Sequence, residues 1–196
     1  MLRLLLTRHA QSEWNAAGRW QGQADPPLSE LGRQQSFQAA AAVGSVDAIV
    51  ASSLERARHT AEIIAEHIGV GPVISSDLLV ERDAGEWSGL TRAEIDQHWP
   101  DHLDTGRRPP GYEHDEHFLQ RVLVGLDALA RHVGASGDVL VVAHAGVIYA
   151  VEAHLGESFE RIPNLSGRWI EHDGHRLGLG PRVHLLDADA PAPDLL

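Results

Sequence analysis

MLRLLLTRHAQSEWN, residues 1–15, is the stretch from which the rest of the chain is read. An apolar run broken only by Arg3 ends in Thr7-Arg8-His9-Ala10, so an arginine and a histidine emerge together where a buried strand would meet solvent. In open α/β sheets, ligands bind at that carboxyl end. Arg8 brings a permanent charge and a planar set of donors that matches a phosphate. His9 beside it brings a nitrogen able to act as nucleophile or base near neutral pH.

The rest of the composition narrows the field. With 196 residues and 43% apolar content, the chain suits one well-buried soluble domain, expected over residues 1–187, followed by a frayed tail at 188–196. All sixteen basic residues are arginine, and the net charge of -12 argues against nucleic acid or an anionic membrane as partner. The lack of lysine excludes Schiff-base chemistry. The lack of cysteine excludes thiol nucleophiles, disulfides, iron–sulfur clusters and cysteine zinc sites. No apolar stretch approaches the roughly 20 residues of a membrane span, and the opening run is too short for a signal-peptide core. A cytoplasmic location is expected, and a homodimer is left open.

Strand and helix patterns alternate outward from the opening run. Ser29 is set to cap a helix over 30–43, and residues 46–51 form a second apolar strand. Ser53 is then expected to cap a helix running to Ile68, with Ala57, Ala61, Ile64 and Ala65 on one stripe and Arg56 in its first turn. Val73, Ile74 and residues 78–80 predict a third strand and its continuation. Thr91 and Glu94 have capping-box spacing for a short helix, and 100–110 is expected to be a loop. The longest helical pattern covers 113–132, and the β-branched run within 138–143 reads as a strand buried on both faces, ending in His144-Ala145-Gly146. A helix over 147–155 and strands over 165–171 and 182–186, joined by an Asp173-Gly174 turn, complete the pattern. His172 and His175 flank that turn and are expected to be exposed. The alternation predicts a three-layer α/β/α sandwich with a mostly parallel central sheet.

Strand ends therefore deliver Arg8 with His9, Arg56 and His144 to one edge, and a fourth segment offers Glu81. Two arginines and two histidines suit a phosphoryl group, whose transfer needs an in-line nucleophile and neutralised oxygens. His9 is cast as the nucleophile, with Arg8, Arg56 and His144 holding the oxygens. Glu81 is cast as proton donor to the leaving oxygen and then as the base that activates water.

These residues also carry a resemblance. Thr7-Arg8-His9-Ala10-Gln11-Ser12-Glu13-Trp14-Asn15 resembles the Arg-His-Gly-Glu-Ser/Thr-x-x-Asn signature of the histidine phosphatase superfamily, in its phosphoglycerate mutase-like branch. Gln21-Gly22 and Pro27-Leu28-Ser29-Glu30-Leu31-Gly32 resemble the following loop, and Ser52-Ser53-Leu54-Glu55-Arg56-Ala57 with Thr60-Ala61 resembles the second arginine motif. The segment 81–89 and His144-Ala145-Gly146 are similar to the proton-donor and second histidine motifs. The resemblance implies a phosphohistidine at His9, no metal or other cofactor, a small phosphorylated metabolite as substrate, and Asn15 beside the phosphate.

Two departures stand out. Ala10 and Ala145 replace family glycines, and Tyr112-Glu113-His114 stands where many relatives have Gly-Glu-Ser. Gln21, Tyr112 and His114 are accordingly the candidates for substrate specificity. A phosphomonoesterase is the leading expectation. The rivals are a mutase of the phosphoglycerate type, against which the short, weakly basic 90–112 stretch speaks, and a silent phosphate-binding regulator, which would need neither nucleophile nor acid.

Overall fold

The opening run becomes the central strand β1 (Leu2–Arg8) of a computed structural model that describes residues 1–174 and 176–186. A one-turn helix α1 (Glu13–Ala16) follows it, then α2 (Glu30–Val43), β2 (Ala48–Ser52), α3 (Glu55–Ile68) and β3 (Ile74–Ser76). The second half contains α4 (Arg92–His98), a single turn α5 (His102–Thr105), α6 (Asp115–Val133), β4 (Gly137–Ala143), α7 (Ala145–His154), β5 (Ser166–His172) and β6 (Leu177–His184). The strands form one sheet in the order β3-β2-β4-β1-β5-β6. The first four run parallel, and β5 and β6 close one edge as an antiparallel pair.

The alternation of side chains across the pleat builds the three layers. Leu4 and Leu6 of β1 and Val139 and Val141 of β4 point to one face, where Phe118, Val122 and Leu126 of α6 and Val147 and Val151 of α7 cover them. Leu5, Leu140 and Val142 point to the other, under Ala39, Ala40 and Val43 of α2 and Ala57, Ala61 and Ile64 of α3. The expected stripe of α3 is the face that is buried, and α6 buries Phe118, Val122, Leu126 and Leu129. No helix among the described residues is long and apolar enough to cross a membrane.

Several expectations shift. The third strand ends at Ser76, and Asp77–Leu79 turns into a 3-10 helix. The cause is Arg121 of α6, whose Nη1 donates to the carbonyls of Leu78 (3.0 Å) and Val80 (2.7 Å), groups a ladder would otherwise use. Ser53 does not cap α3. Leu54 holds that position without a side-chain bond, and the Glu55 amide donates instead to Asp25 Oδ1 at 2.7 Å, from a loop thirty residues earlier. The stretch 100–110 contains α5, and β6 begins five residues before the expected strand. His172 is buried, not exposed, because the end of β5 lies beneath α6, where Asp127 Oδ1 meets its Nε2 at 3.0 Å. His175 and the expected tail at 188–196 lie outside the described residues. The capping box at Thr91 and Glu94 and the Ser29 cap form as expected.

Candidate active site

The register of β1 against β4 pairs Arg8 with Ala143, so the next residues of the two strands, His9 and His144, leave the sheet side by side. The His9 amide donates to the Ala143 carbonyl at 2.9 Å, and the two imidazoles meet edge to face at 5.2 Å between centroids. On the far side of β4, β2 ends at Ser52 and Arg56 follows in the first turn of α3. Thr60 fastens that helix to the first segment: its hydroxyl donates to the Arg56 carbonyl (2.7 Å) and accepts from the Ala10 amide (3.1 Å). Gly32 of α2 lies so close to the Gln11 carbonyl that a Cβ there would stand 2.0 Å from its oxygen. Ala10 is not at positive φ, and Ala145 begins α7 in ordinary helical geometry, so neither position requires the family glycine.

His9 Nδ1 lies 2.6 Å from the Ala10 carbonyl. A carbonyl only accepts, so Nδ1 carries the proton and Nε2 presents its lone pair. Arg56 Nε donates toward that lone pair at 3.3 Å. Burial, then the charges of Arg56 and Arg8, hold His9 well below the ordinary histidine value of 6.5, and the same burial with Arg56 depresses His144. Arg56, 1% exposed, is fixed by the carbonyls of Ala24 (2.7 Å) and Gly22 (2.8 Å). Burial lowers its pKa to about 10, which leaves it charged at neutral pH. Arg8 Nη1 donates to the Ile162 carbonyl at 2.9 Å. Among the described residues, Arg8 Nε and His144 Nδ1 are buried without a hydrogen-bond partner. Such groups cost about 1–3 kcal/mol each until something meets them.

The sign of the histidine shifts makes a stability prediction. Both imidazoles are neutral in the folded protein, while the unfolded chain protonates them near pH 6.5. Stability from this source is therefore full above pH 6.5 and falls as pH drops below it, by up to about 1.4 kcal/mol per pH unit for each histidine. Urea melts at pH 7.5 and 5.5 should show the loss, and a stability that rises on acidification would contradict it.

Glu81 approaches from the loop after β3. Its Oε2 accepts from the Gly146 amide in the first turn of α7 at 3.1 Å and its Oε1 from the Arg82 amide at 2.7 Å. The helix N-terminus offers a carboxylate both donors and a favourable dipole. Its backbone is held by Arg121 Nη2, which donates to the Glu81 carbonyl at 2.9 Å while the Arg121 Nε pairs with Glu113 at 2.7 Å. Glu113 of the Tyr-Glu-His departure is thus a brace for the Glu81 segment.

These groups sit in a cleft of about 910 Å³ whose wall includes Arg8, His9, Asn15, Gln21, Arg56, Glu81 and Tyr112. His144 is brought to the same place but is wholly buried against His9, behind the wall. Asn15 Oδ1 accepts from the Ser12 amide and, at 3.3 Å, from Asn164 Nδ2. Gln21 Oε1 accepts from the Ser12 hydroxyl at 2.7 Å. Tyr112 stacks edge-on with Trp87 and lies under Arg108. His114 is not brought in. It lies exposed at the start of α6 against His117, because the helix turns that face to solvent. Trp20 also joins the wall.

Sequence reasoning missed one side of this cleft. Tyr149, Phe159 and Arg161 line it, and Asn164 donates to the His9 carbonyl at 2.8 Å. Leu165, next to Asn164, is a non-glycine residue at φ 53 whose amide donates to the Arg8 carbonyl. Strain of that kind is held by its surroundings and clusters at functional sites. Segment 156–164 has no periodicity that would have shown any of this. Seven of the sixteen arginines line the cleft (8, 19, 56, 82, 92, 108 and 161); Arg19, Arg82 and Arg92 pair with Glu94, Asp115 and the Asp96 and Asp104 carboxylates, while Arg8, Arg108 and Arg161 have no carboxylate partner among the described residues. In a chain of net charge -12, that is a concentrated positive field.

A sheet carrying this motif set at its carboxyl edge defines a phosphate-handling α/β fold of the phosphoglycerate mutase-like kind. The family profile described as histidine phosphatase superfamily (branch 1) matches residues 4–177, and the chain belongs to that family. A glucosyl-3-phosphoglycerate phosphatase of Mycolicibacterium vanbaalenii is 35% identical over 193 residues, covering 88% of this chain and 84% of that protein. The Mycobacterium tuberculosis protein named Bifunctional protein Rv2228c is 41% identical over 151 residues, 72% of this chain; the chain spans only 41% of its length. A 2,3-bisphosphoglycerate-dependent phosphoglycerate mutase of Methylorubrum extorquens is 35% identical over 161 residues, 76% of each chain. Among solved structures, mycobacterial glucosyl-3-phosphoglycerate phosphatase Rv2419c with VO3 superposes with a TM-score of 0.79 at 32% identity, covering 90% of this chain and 96% of that one.

Proposed function

We propose that the chain is a phosphomonoesterase that hydrolyses a small acidic metabolite through a phosphohistidine at His9. The observation that carries this reading is the neutral, buried His9, whose Nε2 lone pair lies beside Arg56 in a cleft that also holds the Glu81 carboxylate. Nε2 attacks phosphorus, and the bond from phosphorus to the ester oxygen breaks. Glu81, in its acid form, gives that oxygen its proton. Arg8, Arg56 and His144 take the charge of the phosphoryl oxygens, with Asn15 alongside. The imidazolium so formed keeps its Nδ1–H on the Ala10 carbonyl. Glu81, now a carboxylate, accepts a proton from water as it attacks the phosphohistidine, and phosphate leaves with His9 restored.

Since the acid must sit where the leaving oxygen emerges, Gly146 is a sensitive position. A Cβ there would come 2.2 Å from Glu81 Oε1, and the flexible carboxylate would give way first. Gly146→Ala is expected to lower kcat about 10- to 100-fold with the fold intact, within the range that a misplaced acid costs. Steady-state kinetics beside a thermal melt would test it; unchanged kcat would remove Glu81 from its role. The depressed His9 also implies that kcat/KM holds on the acid side of pH 6.5, since the reactive neutral imidazole persists there.

The outer cleft bears on the substrate. Arg108 and Arg161 have no carboxylate within 4.0 Å among the described residues; Arg108 lies over the Tyr112 ring at 4.9 Å, and Tyr149 packs on Phe159 at 4.8 Å between ring centroids in the same wall as Arg161. Free guanidinium groups next to aromatic faces suit a second acidic group attached to a ring or sugar. A glycosylated phosphoglycerate, the kind of compound named for the mycobacterial relatives, fits that description. Phosphate release should favour such esters over neutral sugar phosphates. The double substitution Arg108→Ala with Arg161→Ala should remove about tenfold or more of that preference through KM. Equal rates on both classes would contradict the substrate assignment, and isomerisation of a phosphoglycerate without release would indicate the mutase.

A further inference from the structure

Ser52 lies at the carboxyl end of β2, wholly buried, and sequence reading gave it no role. Its Oγ is 2.8 Å from His144 Nε2, and it accepts from the Leu54 amide at 3.3 Å. A hydroxyl has one proton to give. If His144 Nε2 carried a hydrogen, Ser52 would accept twice, and its own proton would be left buried with no acceptor among the described residues. One assignment leaves the fewest groups unmet: Ser52 donates to an unprotonated Nε2, so that its own proton and that lone pair are both satisfied. His144, neutral in this surrounding, must then carry its hydrogen on Nδ1, the atom that is buried and unpartnered.

We propose, on the phosphatase reading, that Ser52 is a positioning residue that fixes the tautomer of His144, so that Nδ1–H is held ready as a donor to a phosphoryl oxygen bound beside His9. The two histidines then share one tautomer for opposite ends. The Ala10 carbonyl forces Nδ1–H on His9 and frees Nε2 to attack. The Ser52 hydroxyl forces Nδ1–H on His144 and leaves that N–H unsatisfied until an anion arrives. In the other tautomer His144 would turn a lone pair toward the phosphoryl oxygens and repel them. A single hydroxyl therefore decides whether this imidazole assists or opposes the reaction.

The test needs no turnover, so it separates this idea from the phosphatase reading itself. Two-bond 1H–15N correlation spectra of 15N-histidine-labelled protein, with His144 assigned by substitution, report which ring nitrogen is protonated. Near pH 7.5 the wild type should show His144 as the Nδ1–H tautomer, and inorganic phosphate should move that proton downfield. Ser52→Ala should shift the ring toward Nε2–H and lower kcat/KM at least about tenfold, mostly in kcat, while Ser52→Thr, which keeps a hydroxyl, should restore both. An Nε2–H tautomer in the wild type, His144 signals unmoved by phosphate, or a Ser52→Ala enzyme of full activity would each overturn the proposal. The first two hold even if a variant fails to fold.

Discussion

Replacing His9 with alanine is expected to lower kcat/KM by at least about 10⁴-fold on any phosphomonoester the protein hydrolyses. Removing a nucleophile leaves only the catalysis that charge and positioning supply. The loss should fall on turnover rather than on phosphate affinity. Arg8 is anchored on Ile162 and Arg56 on Gly22 and Ala24, so the anion site does not depend on the imidazole. The change also removes a buried group that costs stability in acid, so the variant should melt no lower than the wild type at pH 5.5. Phosphate-release assays with chelator present, and binding of inorganic phosphate by calorimetry, would check both halves. Retained turnover would sink the assignment of His9. A wild type that binds phosphate esters without turning them over would favour the silent binder.

Arg56 carries the second large effect, and for two separable reasons. Its guanidinium supplies charge beside the His9 Nε2, and a lost transition-state donor costs about 10²–10³ in rate. It also ties down the loop of residues 18–27, because its two terminal nitrogens are the partners of the Ala24 and Gly22 carbonyls. Arg56→Ala should therefore lose about 10³-fold in kcat/KM and also melt at lower temperature. Arg56→Lys keeps the charge but not the planar fork, since an ammonium cannot serve Gly22, Ala24 and the His9 edge together. It should recover less than a tenth of the lost activity. A fully active lysine variant would mean that charge alone suffices there.

How much of this could be read from the chain follows from where each contact comes from. The four parallel strands and their covering helices were legible because β1, β4, α3 and α6 each carry their own periodicity, and His9, Arg56 and His144 sit directly at element ends. Their meeting needs only the parallel register. Failures occur where a distant side chain replaces a local signal. Asp25 caps α3 in place of Ser53, Arg121 captures the carbonyls that would have extended β3, and Asp127 buries His172. The cleft wall at Phe159 and Arg161 was illegible for a related reason: segment 156–164 is irregular and takes its shape from the fold. Tyr149 fixes it by accepting the Ile162 amide at 2.8 Å, and Glu152, buried beneath, pairs with Arg168 and Arg182. The Tyr112 and Gln21 expectations lead into the cleft. His114 does not: it lies exposed just before α6, whereas the neighbouring Asp115, itself solvated, borders the cleft through its pairing with Arg82.

The most direct measurement is to trap the covalent state. The wild type and Glu81→Gln should be mixed with a reactive phosphomonoester, quenched in base within milliseconds to seconds, digested, and read by mass spectrometry. A phosphoryl group on the peptide that contains His9, stable in base, lost in acid and longer-lived in the Glu81 variant, is the predicted result. Full turnover with no phosphoryl group on that peptide at any quench time would contradict a phosphohistidine mechanism.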